Sequence, residues 1–88
     1  MNNPHTATSP ALATAMSIIT YDLKLPSVIE VVDRGAVGNI LELEVLTDSP
    51  VTDKQIKTFK TIMKENCFTI KSIAKSYRSE ILIIKIEV

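Results

Sequence analysis

Apolar and polar residues alternate along most of this chain, and the period lengthens only once. Ile19, Tyr21, Leu23 and Leu25 alternate with Thr20, Asp22 and Lys24, which predicts a half-buried strand over residues 16–25, ended by Pro26. Val28–Asp33 is β-branched and predicts a second strand, or a continuation of the first past a proline kink. Both glycines fall in Asp33–Asn39, which reads as a turn because glycine takes the positive φ of a tight reversal. Ile40–Thr47 alternates most cleanly, with Leu41, Leu43 and Val45 on one face and Glu42 and Glu44 on the other. Asp48-Ser49-Pro50 stops it. The period then becomes helical: Thr52 or Asp53 caps a helix running to about Asn66. Ile56, Phe59, Ile62 and Met63 form its apolar stripe, opposite Lys54, Lys57, Lys60 and Lys64. Phe68–Tyr77 and Glu80–Val88 follow as strands around a hairpin turn at Ser76–Ser79.

The resulting order, β-β-β-α-β-β, defines an α+β class: a small, mainly antiparallel sheet of four to five strands with one amphipathic helix across one face. Phe68 and Ile70 are expected beneath the helix, which sends Lys71, Ile73, Lys75 and Tyr77 to the other face. Residues 1–15 carry no charge apart from His5 when protonated, and Leu12 is their only large aliphatic besides Met1. They read as a flexible or partner-bound tail, with Leu12 and Met16 as small docking anchors. Residues 16–88 form the single domain. At that size a core is only marginally sufficient, and association with another chain is a common supplement.

Charge sharpens the picture, because the ten bases and ten acids cancel in total but not locally. Residues 1–53 hold seven acids against two bases, and residues 54–88 hold eight bases against three acids, giving −5 and +5. One small domain can therefore present an acidic and a basic surface. If the Glu42/Glu44 strand lies beside the strand of Lys71 and Lys75, or that of Lys85, acids and bases become cross-strand neighbours.

Chemistry is sparse. The only histidine, His5, falls in the tail, so triads and histidine-metal sites lack their central member. Cys67 is the only cysteine and reads as a small core residue at a helix end. Glu42 and Glu44 at i, i+2 are a strand's solvated face more simply than an acid–base pair. The spacing Gly35-Ala36-Val37-Gly38 matches a backbone-clamping GxxG loop, but it brings no basic residue and a strand follows it, so it reads as a hairpin turn. No catalytic, cofactor or metal site is expected. The chain has no basic, apolar leader segment and no apolar run of membrane-spanning length, so the expected setting is cytoplasmic.

The last strand, six apolar residues in the eight from Ile81 to Val88, would template aggregation if left as an open edge. The expected function is a non-enzymatic protein-interaction or assembly module, an accessory subunit or homo-oligomer. Its expected contacts are Ile73, Ile81, Ile83, Lys85, Glu42 and Glu44. The alternative is a small nucleic-acid-binding or regulatory protein using Lys54, Lys57, Lys60 and Lys64.

Overall fold

In the computed structural model, residues 9–34, 39–76 and 80–87 are described, without the Arg34 side chain. From Pro10 to Asp22 the expected tail and first strand are instead helical. Ser9 caps the helix by accepting a hydrogen bond from the Leu12 amide at 3.1 Å, and Pro10 occupies the first turn, where its missing N–H costs nothing. Helix α1 (Pro10–Ser17) continues into a π-helical turn (Ile18–Asp22). The alternation from Ile19 to Leu25 is real but subordinate: Ala11, Leu12, Ala15, Ile18 and Ile19 recur with helical spacing and are all buried, while Tyr21 is 72% exposed. The turn is closed by Leu23 donating to the Ile18 carbonyl, Leu25 donating to that of Ile19, and a left-handed Lys24 (φ 52°). Residues 1–8 lie outside the described residues, so the part of the tail that can be followed, from Ser9 onward, belongs to the folded unit.

Four strands follow: β1 (Ser27–Arg34), β2 (Ile40–Thr47), β3 (Thr69–Lys75) and β4 (Ile81–Glu87). They form one antiparallel sheet in the order β1-β2-β4-β3. The α+β class holds, with two helical segments instead of one. Both cover the same sheet face, because Ala11, Leu12, Ile18 and Ile19 share a single core with Phe59 and Met63 of α2 (Asp53–Glu65) and with the inward residues of β2 and β4. The apolar last strand is central, so no open edge is left at β4. Residues 35–38 of the expected Asp33–Asn39 turn, residues 77–79 of the expected Ser76–Ser79 turn, and Val88 lie outside the described residues. Ser76 N–H donates to the Ile81 carbonyl at 2.8 Å and closes the β3–β4 hairpin.

Helix α2 begins with a full capping box: Thr52 Oγ1 accepts from the Gln55 amide and Gln55 Oε1 accepts from the Thr52 amide. It ends in a Schellman turn, with Phe68 N–H donating to the Met63 carbonyl and Cys67 N–H to that of Lys64. Cys67 takes the left-handed position (φ 66°) that glycine usually fills, and this geometry throws its side chain outward. Cys67 is therefore exposed and not a core residue.

Both edge strands carry a bulge. The register slips between Val31 and Asp33 on β1, and between Ile70 and Ser72 on β3, leaving Val32 and Lys71 as the extra residues. The second slip reverses the side-chain parity that alternation predicts. Ile73 lies opposite buried Ile84 and Lys75 opposite buried Leu82, so both face the helices. Packing is tight, and the void between Ile19, Val51, Phe59 and Leu82 measures ≈ 10 Å³, no more than one water needs.

Two measurements check this account. Leu12→Ala is expected to cost about 2–5 kcal/mol in urea unfolding, as for a buried core leucine, where a tail residue would cost nothing measurable. Cys67→Gly is expected to stabilise by roughly 0.5–1 kcal/mol, because glycine takes the left-handed position without strain.

Candidate functional site

The sheet has an inner face buried by helices and an outer face that no described element covers. Pleating and register place the outer residues in rows across the strands. Val28, Leu46 and Ile81 make one apolar row. Glu30, Glu44, Ile83 and Ala74 make the next, and Asp33, Glu42, Lys85 and Ser72 the one after. Val28 is 62% exposed, and Leu46 and Ile83 are 37% and 39% exposed, so the apolar end of this face meets water. Exposed Val32 adds to it at the β1 bulge.

Five of the six expected contact residues are thus gathered on one surface: Ile81, Ile83, Lys85, Glu42 and Glu44. Ile73 is not among them. The β3 bulge turns it inward, where it packs against the core half-buried. Val28 and Leu46 were missed, although Leu46 shares its parity with Glu42 and Glu44 and was legible on that ground.

Electrostatics on this face are uneven. Lys85 Nζ stands 3.7 Å from Glu42 Oε1, the cross-strand pairing that the charge pattern made possible. At that length and exposure the pair contributes at most about 1 kcal/mol. Glu30 and Glu44 are directly opposite one another, an unfavourable like-charge contact within the sheet. No bonded cation of the described residues offsets it.

The four helix lysines are exposed on one side of α2 and border two different concavities. Lys54 and Lys57 flank a shallow depression with Thr58, Thr61 and Ile62. Lys60 and Lys64 instead line a groove of about 400 Å³ between α2 and β3, together with Lys71, Phe68, Ile70 and Ile73. The basic groups of helix and strand were expected on opposite sides of the domain. The bulge corrects that: Lys71 stands at the rim of the same groove as Lys60 and Lys64, and Lys75 turns to the helix side.

There Lys75 Nζ donates to Asp53 Oδ1 at 2.8 Å, linking β3 to the first turn of α2. This hydrogen bond, reinforced by the ammonium charge, holds the Asp53 carboxyl below its ordinary value of 3.8. Among the described residues, no group of three or more His, Cys, Asp and Glu side chains is placed to hold a metal ion. No described helix is long and apolar enough to cross a membrane.

Together these features define an open-faced, two-layer α+β domain with an apolar-acidic sheet face and a separate basic groove. The chain matches no protein-family model, no curated protein and no solved structure. Its own geometry is therefore the ground on which a function can be argued.

The Asp53–Lys75 link sets a pH dependence. Because the folded carboxyl titrates lower than the unfolded one, its contribution to stability is present above pH 3.8 and is lost as the pH falls through the lowered folded value. In Lys75→Met the Asp53 carboxyl, followed by NMR titration, should return toward 3.8. The stability difference between the two proteins should shrink as acid is added below that value.

Proposed function

We propose that this chain is a cytoplasmic, non-enzymatic interaction module, an accessory subunit of a larger complex or of a homo-oligomer, that docks through the outer face of its sheet. One observation carries this: the central strands β2 and β4 present Leu46 and Ile83 to water, beside half-buried Ile81, on the sheet face that no described element covers. Contiguous exposed apolar residues rimmed by charge are the usual mark of a protein contact surface. The first occupant to consider is a second copy. In a face-to-face stack about a two-fold axis the same surface meets itself, and Lys85 of one copy can approach the Glu30/Glu44 pair of the other. That contact would relieve the like-charge opposition that a single sheet leaves standing.

The alternative is a nucleic-acid-binding or regulatory protein using Lys54, Lys57, Lys60 and Lys64, which share one side of α2 but bring no arginine with them. Retention of a mixed oligonucleotide at about 50 mM salt, released steeply as salt rises, would favour it.

Light scattering on purified protein at about 100 μM distinguishes the leading reading. The wild type is expected to run as a dimer, and Ile83→Glu and Leu46→Glu as monomers with unchanged circular dichroism. A wild type that is strictly monomeric, and that loses no specific partner on the same substitutions, overturns the proposal.

A further inference from the structure

The groove between α2 and β3 runs along the β3 edge, where it also meets Thr69 and Ser72, away from the apolar row of the docking face, and has its own chemistry. Lys60 and Lys64 stand on its helix wall, and Lys71 reaches its rim from the β3 bulge. Phe68, Ile70 and Ile73 form an apolar floor, each only partly buried. The ion pairs among the described residues engage Lys75 and Lys85 and leave these three lysines without a carboxylate partner. Three like charges converging on one channel repel one another, and an anionic occupant relieves that repulsion.

The channel runs beside an edge. β3 pairs with β4 on one side only, so the N–H and C=O groups of its other side meet no described strand. An occupant suited to all three features is extended, offers its own backbone to the edge, sets apolar side chains on the floor and turns carboxylates toward the lysines. The bulge limits the added pairing to the short stretches on either side of Lys71, so the occupant is a short segment and not a long strand. Nucleic acid fits less well. The groove has no arginine fork for base edges, and its one aromatic ring, Phe68, is half-buried in the floor and not raised as a stacking platform.

We propose that the α2–β3 groove binds an acidic, extended peptide segment in which Glu or Asp alternates with apolar residues. It is independent of the outer face, so the two proposals succeed or fail separately. The probe is a fluorescein-labelled peptide of about eight residues alternating Glu and Leu, followed by fluorescence anisotropy with the full chain at low salt. Saturable binding is expected, weakening as salt is added. Lys64→Glu combined with Lys71→Glu should weaken it at least about tenfold with an unchanged melting profile, while Ile83→Glu on the outer face should leave it unchanged. The same peptide N-methylated at alternate residues should bind more weakly, because its edge pairing is blocked.

Three results would overturn the proposal: no saturable binding of the Glu-Leu peptide; equal binding of an alternating Lys-Leu peptide; or tighter binding of a thymidine oligonucleotide of the same length, which would make the groove a general polyanion site. Binding abolished by Ile83→Glu but untouched by the two lysine substitutions would move the peptide to the outer face and refute the groove.

Discussion

The inward side chains of β2 and β4 are the surface against which every other element packs. Leu41 lies opposite Ile86, Leu43 opposite Ile84 and Val45 opposite Leu82, and all six are buried. At roughly 1.5–3 kcal/mol for each fully buried aliphatic side chain, an upper estimate, this central pair is the strongest local source of stability in the chain. One helix of 13 residues cannot cover a four-stranded sheet face by itself. The remainder is covered by α1 and its π turn, which contribute Ala11, Leu12, Ala15, Ile18 and Ile19. Two alanines in that set allow the helix to approach the sheet closely.

Concentrating both helices on one side leaves the other side of the same strands to solvent. The outer rows are polar toward one end and apolar toward the other, so the face is neither a fully solvated surface nor a second core. The edges are handled differently from the face. Each edge strand carries a bulge, which interrupts the row of unpaired backbone groups and discourages indiscriminate strand pairing. At β3 the same bulge redirects three side chains: Lys71 to the groove rim, Ile73 to the core and Lys75 to Asp53. A single inserted residue thus fixes both the helix–strand link and the lining of the basic groove.

Much of this was legible in the chain. The alternation of Ile40–Thr47, an N-cap at Thr52 or Asp53 (it is Thr52) and the apolar stripe of α2 each follow from a single local rule, and each is found as expected. What was not legible depended on competition between rules. From Ile19 to Leu25 a period of two overlies a helical period that begins at Ala11. The helical one prevails because it buries five residues in register with the sheet. The Ser9-Pro10 start signal was present, but the low hydrophobicity of the alanines concealed it. The parity error at Ile73 has a different cause, since a bulge is set by the tertiary register of an edge strand and leaves no periodic trace. Cys67 misled because burial is the commonest fate of a free cysteine, whereas the Schellman turn required a residue at positive φ whatever its type.

The opposed charges of the two halves acquire a spatial meaning through the strand order. β1 and β2 come from the acidic half, and β3 and β4, with α2, come from the basic half. Because β4 and not β3 pairs with β2, the halves meet within the sheet at one seam, where Glu42 faces Lys85, and Lys71 stands at the far edge. The reverse order, with β3 inside, would set Lys71 and Lys75 beside Glu42 and Glu44 and neutralise them within the sheet. It would also place lysines where the sheet is most buried and leave the apolar β4 as an open edge, which costs desolvation and invites aggregation. Hydrophobic burial therefore decides the order, and the charge separation across the domain follows from it. Among the described residues the groove lysines have no carboxylate partner, while Glu30, Glu42 and Glu44 are held on the outer face of the sheet.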